Sequence, residues 1–114
     1  LLDPIIEKLK EIDENVQKNI VRKEDTASWD CLAVIKRRIR SKNTGKSKST
    51  HVDVVIARED EIEDGMVDRV IEAMSEIGWR LATEDDIEFD HPVDSNEIVV
   101  EVCTIHFFAP EKRC

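Results

Sequence analysis

One stretch limits the folds open to this chain. Between residues 31 and 52 there is no acidic residue, while Lys36, Arg37, Arg38, Arg40, Lys42, Lys46 and Lys48 crowd together. The middle of the stretch, residues 41–50, holds only Ser, Lys, Asn, Thr and one Gly, a composition that cannot build a core. Apolar, strand-like segments lie on either side. This arrangement predicts a long β-hairpin whose tip projects as a flexible positive arm. The chain as a whole carries a formal net charge of −9 over 114 residues, so the arm is a local reversal of sign.

The flanks of the arm support a sheet. In residues 52–58, Val52, Val54 and Ile56 fall on one face and Asp53, Val55 and Ala57 on the other. In residues 29–39, Cys31, Ala33 and Ile35 alternate with Leu32 and Val34, so both faces are apolar near the start. Such a strand needs cover on two sides, from helices or from a neighbouring subunit.

Helices are expected before and after this hairpin. In residues 1–24, Leu2, Ile5, Leu9, Ile12 and Val16 recur at spacings of three and four, with Ile6, Ile20 and Val21 widening the stripe. Asp3 suits an N-cap and Pro4 a first helical turn. The repeat is too short for a coiled-coil seam and reads as a helix packed on its own sheet. Residues 60–77 form the clearest helix, with Met66, Val67, Val70, Ile71, Met74 and Ile77 in one stripe and Gly78 placed to end it. Glu59, Asp60, Glu61, Glu63 and Asp64 crowd its expected start, where the helix dipole favours carboxylates.

The last third reads as a second hairpin, residues 79–108. Its first strand breaks at Glu84, Asp85 and Asp86, and residues 91–96 make the turn. Its second strand, residues 97–108, sets Ile98, Val100, Val102, Thr104, His106 and Phe108 on one face. The expectation is a single α+β domain in the order α-β-β-α-β-β, with helices packed on a four-stranded antiparallel or mixed sheet.

No set of residues points to catalysis, a cofactor or a metal. Residues 43–47 contain the ending of a phosphate-binding loop, but Arg40 stands where its first glycine belongs, and a strand follows where a helix should. Cys103 and His106 are three apart in a strand, so they face opposite ways and cannot share a metal. His51 and His91 show no clustered partner in the sequence. Glu84, Asp85, Asp86, Glu88 and Asp90 lack the glycine and terminal glutamate of a calcium loop and read as a solvated edge. Cys31, Cys103 and Cys114 follow no metal or disulfide spacing. The first two are expected as reduced, buried thiols and the last as exposed. No apolar run approaches the roughly 20 residues needed to cross a bilayer, and residues 1–4 carry no basic leader.

The arm, through Arg38, Arg40, Lys42, Lys46 and Lys48, is read as a contact element. It can neutralise phosphates, giving steeply salt-dependent binding, although it holds no aromatic residue for base stacking. It can equally dock on an acidic protein surface, including another copy of the chain.

Taken in order, these segments resemble the tail-terminator, or tail-completion, proteins of long-tailed bacteriophages. The likeness rests on the first helix, the apolar strand at residues 31–35, the long polar loop and the strand His51-Val52-Asp53-Val54-Val55-Ile56-Ala57. It continues through Ile77-Gly78-Trp79-Arg80 and the long last strand. The resemblance implies a virion structural protein without chemistry or cofactor, forming a homo-oligomeric ring, a hexamer in that family. The ring caps the tail tube and joins it to the head connector, at the head-proximal end of a tail assembled in the host cytoplasm. Its implied partners are itself, the tail tube protein and the head-connector protein. DNA would be only a passing genome, repelled from the lumen by Glu84, Asp85, Asp86, Glu88 and Asp90. The rival readings are a small nucleic-acid-binding protein using the basic arm, and an acidic inhibitor or decoy.

Overall fold

The computed structural model describes residues 2–19, 29–37, 40–41, 48–81 and 87–110. Its elements run α1 (Asp3–Leu9), β1 (Val16–Lys18), β2 (Cys31–Lys36), β3 (Arg40–Ser41), β4 (Lys48–Arg58), α2 (Met66–Glu76), β5 (Arg80–Leu81), β6 (Glu88–Asp90) and β7 (Glu101–Pro110). All the described strands join one sheet in the order β1-β2-β4-β7-β5, with β3 added along β4 and β6 along β7. β1 runs parallel to β2, and the other described pairs are antiparallel.

The expected α-β-β-α-β-β order and its four-stranded sheet are therefore wrong. The chain is mostly sheet, and the largest error lies at the N-terminus. The helix ends at Leu9 instead of running through residues 1–24. A tightened turn closes it, with the Ile12 N–H donating to Leu9 O at 2.9 Å and the Asp13 N–H to the same oxygen at 3.1 Å. The Asp13 carboxylate then accepts the Asn15 N–H at 2.9 Å, a side-chain turn that competes with helix. Val16 leads out as a strand and pairs with Leu32. Ile12 and Val16 still pack on the core, as their spacing predicted, but from a turn and a strand. Asp3 is the first helical residue and makes no cap, since Leu2 holds the N-cap position.

The second helix is also shorter than residues 60–77. It starts at Met66 after Gly65, which takes a left-handed conformation at φ 81°. Of the acidic residues before it, none stands in the first turn, which carries only Asp68. The C-terminus is as read: Gly78 has φ 92°, its N–H donates to Ser75 O at 3.1 Å, and the Trp79 N–H donates to Met74 O at 2.9 Å. This is a Schellman closure.

The strands alternate cleanly. One face carries Leu32 beside Ile56 and Cys103, then Val34 beside Val54 and Ile105, then Val52 beside Phe107. All are fully buried. α1 covers them through Leu2, Ile5 and Leu9, and α2 through Met66, Val70, Ala73 and Met74. At about 1.5–3 kcal/mol for each large apolar side chain removed from water, this face carries the stability of the domain.

Polar ties hold the helices and loops to the sheet ends. The Arg58 guanidinium, with only 12 % of its side chain exposed, meets Asp13 at 3.0 Å and Glu63 at 2.8 Å. It clamps the turn after α1 to the loop before α2. Removing it strands the Asp13 carboxylate in a half-buried site, so Arg58→Met is expected to cost about 2 kcal/mol in urea unfolding. A loss within experimental error would show that the clamp is dispensable.

The Glu101 carboxylate accepts the Ile62 N–H at 2.9 Å and lies 3.0 Å from the His91 ring. These contacts, the backbone N–H first, hold its carboxyl below the usual carboxylate range. A depressed pKa stabilises the fold above the unfolded value, and that contribution disappears as pH falls through the folded value. The stability gap between wild type and Glu101→Gln should therefore be widest near neutrality and shrink as pH falls below the usual carboxylate range, read from urea titrations at stepped pH.

Candidate functional site

The opposite face of the sheet is where the chain can meet something else. Here the register aligns Cys31 with Ala57 and Val102, Ala33 with Val55 and Thr104, and Ile35 with Asp53 and His106. His51 follows beside Phe108, and Phe108 beside Arg80. Neither described helix contributes to the cluster on this side, which gathers Cys31, Ala57 and Val100 with Trp29, Ile98 and Val102. The expectation that β2 would be apolar on both faces holds, since Cys31, Leu32, Ala33 and Val34 are all buried.

At one end of this face the loop preceding β7 folds over the sheet. Asp94 organises it: Oδ1 accepts the N–H groups of Asn96 at 2.8 Å and Ile98 at 2.9 Å, and Oδ2 accepts the Trp29 indole N–H at 2.9 Å. Val93 bridges to Val99, and Glu97 takes the positive φ of 65° that the reversal needs. Trp29 is anchored a second time, its backbone N–H donating to Glu59 at 2.9 Å, while the Glu59 N–H returns to Asp30 at 3.0 Å. Between loop and sheet lies an apolar groove of about 280 Å³, walled by Trp29, Val55, Ala57, Pro92, Val100 and Val102. At its edge Val93 is 59 % exposed, and nearby Val99 is 48 % exposed.

At the other end the face turns polar. His51 Nδ1 lies 3.0 Å from His106 Nε2, and the two rings stack with centroids 5.1 Å apart. His106 Nδ1 lies 2.9 Å from Asp53 Oδ1 and 2.6 Å from Arg37 Nη1, and Arg37 reaches Asp53 at 3.5 Å. A guanidinium only donates and a carboxylate only accepts, so His106 Nδ1 serves one of them at a time. With Nδ1–H present it donates to Asp53, and Nε2 accepts from His51. With Nδ1 bare it accepts from Arg37, and Nε2–H donates to His51. The imidazole tautomer thus chooses between the two charges. The sequence shows no clustered partner for His51, and the register supplies one: 55 residues separate it from His106, a distance that hides the pairing.

The residues singled out for the arm fall mostly beyond what is described. Arg38, Lys42 and Lys46 lie outside the described residues, while Arg40 and Lys48 mark the backbone of β3 and β4, with Arg40 opposite Ser49 and Ser41 opposite Lys48. The hairpin ladder therefore runs further out than residues 52–58, and residues 48–50 belong to a strand instead of a loop. Of the acidic set, Glu84, Asp85 and Asp86 lie outside the described residues. Glu88 and Asp90 are exposed on β6, an edge strand opposite Thr104 and Val102. Charge on an edge strand also discourages unwanted pairing.

Among the described residues no group of His, Cys, Asp and Glu could hold a metal ion, and no helix is long and apolar enough to cross a membrane. Burial pushes the Cys31 and Cys103 thiols up to about 11, so neither forms a thiolate near neutrality. In the folded protein both should resist maleimide at pH 7.5, and both should label after denaturation, as read by peptide mass mapping. Rapid native labelling of Cys31 would mean that the groove beside it opens.

No protein-family model matches the chain, and no curated protein matches it.

Proposed function

We propose that this protein is a structural assembly subunit, and specifically a tail-terminator ring subunit that caps a phage tail tube and meets the head connector. The observation that carries the assembly reading is the half-finished second face: an apolar groove with Val93 and Val99 exposed at its edge, on strands whose first face is already fully packed. The proposed occupant is another copy of the same chain. Charge supports that choice. Seven basic residues lie between Lys36 and Lys48 with no acid among them, while Glu88 and Asp90 are exposed on an edge strand. Segments of opposite sign in one chain favour a head-to-tail contact, and repeated head-to-tail contacts close into rings when the rotation permits. Pairing cation with carboxylate between copies also offsets the repulsion between subunits of net charge −9. The terminator identity rests on the resemblance in layout, and the six-fold ring is that family's expectation.

Native mass spectrometry and light scattering across a concentration series, with and without purified tail tubes, test this reading. Closed rings are expected for the wild type, with or without a tube as template. The double variant Val93→Asp/Val99→Asp should stay folded and monomeric. Lys42→Ser/Lys46→Ser/Lys48→Ser should stay folded and lose ring or tail joining. A wild type that remains monomeric at millimolar concentration, and on tubes, sinks the assembly reading. Rings that form but ignore tubes sink the terminator identity alone.

A further inference from the structure

The polar end of the open face holds a row that no local stretch of sequence displays. Across four neighbouring strands the register sets Arg37, His51, Phe108 and Arg80 side by side. The Arg37 N–H donates to His51 O at 2.9 Å, His51 is opposite Phe108, and Phe108 is opposite Arg80. The His51 and Phe108 rings are neighbours, 6.3 Å apart between centroids, and His106 stacks on His51 from the next row. Two guanidinium groups therefore flank a strip of three partly exposed rings, His51, Phe108 and His106. Arg37 is 43 % exposed at its side chain and Arg80 is exposed. Asp53 lies lower, with 19 % of its side chain exposed, and its contacts are with His106 and Arg37.

We infer that this row is a binding platform for single-stranded nucleic acid. Rings on a sheet surface stack unpaired bases whatever their identity, and flanking cations hold the phosphates on either side. Three strand spacings give the row a length of about 14 Å, which suits two or three bases on one sheet surface. A duplex buries its bases and offers the rings nothing. At the same corner β3 and β4 carry the backbone ladder on beyond His51, with Arg40 opposite Ser49 and Ser41 opposite Lys48. The aromatic partner that the arm lacks comes from β7. This inference does not depend on ring assembly.

Fluorescence anisotropy tests it with fluorescein-labelled 12-nucleotide single strands of DNA and RNA, the matching duplex, and a poly-glutamate peptide, each at 50 and 200 mM salt. The single strands should bind the full chain at least tenfold more tightly than duplex or peptide at the lower salt. Phe108→Leu keeps an apolar side chain in place but removes the ring, and should weaken single-strand binding by about tenfold while leaving the duplex value unchanged. Arg80→Ser, an exposed change that leaves the Arg37–Asp53–His106 contacts intact, should lower the slope of log affinity against log salt by about 0.7. Thermal melts confirm that each variant is folded. The inference is overturned by absence of single-strand binding at 50 mM salt. It is equally overturned if duplex or poly-glutamate binds as well as the single strands, or if a folded Arg80→Ser leaves the salt slope unaltered.

Discussion

The hydrogen-bond ladders on both sides of β4 are the constraint on which the rest of the molecule depends. This strand pairs with β2 over six positions and with β7 over ten, so a slip of one residue would turn every side chain to the wrong face. Its sequence forbids the slip. Val52, Val54 and Ile56 belong under the helices, and moving Asp53 into that layer would bury a carboxylate without a partner, a cost far above the worth of any single contact. With β4 fixed, β2 and β7 are fixed by pairing, and both faces of the sheet acquire their contents.

Much of this was legible in the residues. The alternation in residues 52–58 names the covered face correctly, the stripe from Met66 to Ile77 finds α2, and Gly78 marks its end. The N-terminal stretch misled because spacings of four, as in Ile12 and Val16, suit a helix and also suit a turn followed by a strand. Asp13 and Asn15 held the deciding information, since their turn chemistry stops the helix, yet three polar residues in a row also suit the outer side of a helix. The acidic run at residues 59–64 misled in a similar way. It reads as helix-dipole complementarity, while Glu59 and Glu63 are used instead for contacts to Trp29 and Arg58. The cluster of His51, Asp53, His106 and Arg37 could not be read at all. His106 joins Arg37, His51 and Asp53 only through the pairing of β4 with β7, and register between strands so far apart in sequence leaves no periodic trace.

Charge and apolar surface are separated along the open face. The end near Trp29 is apolar, roofed by the Asp94 loop and bordered by Asp90 on β6. The end near His51 is polar, ringed, and continuous with the basic hairpin. One covered face suffices for folding, because the layer under α1 and α2 is closed on itself. The second face is less complete: Cys31, Ala33, Val55, Ala57 and Val100 are buried there, while Val93 and Val99 stay exposed beside the groove, and its two ends differ in chemistry.

That division decides how an assembling subunit can seat. Covering the whole face with a neighbour would take Arg37, Asp53 and His106 out of water together. Their mutual contacts satisfy only part of the hydrogen-bonding capacity of a guanidinium and a carboxylate, so full burial would cost several kcal/mol unless the neighbour supplied matching groups. Seating over the groove alone avoids that cost and gains the apolar contacts of Trp29, Val93 and Val99. In the proposed ring, each interface would therefore sit at the apolar end, with the polar row left facing solvent. A subunit arranged this way can hold its neighbour and still offer a stacking surface to a strand, and the Arg37–Asp53–His106 cluster keeps the two surfaces apart.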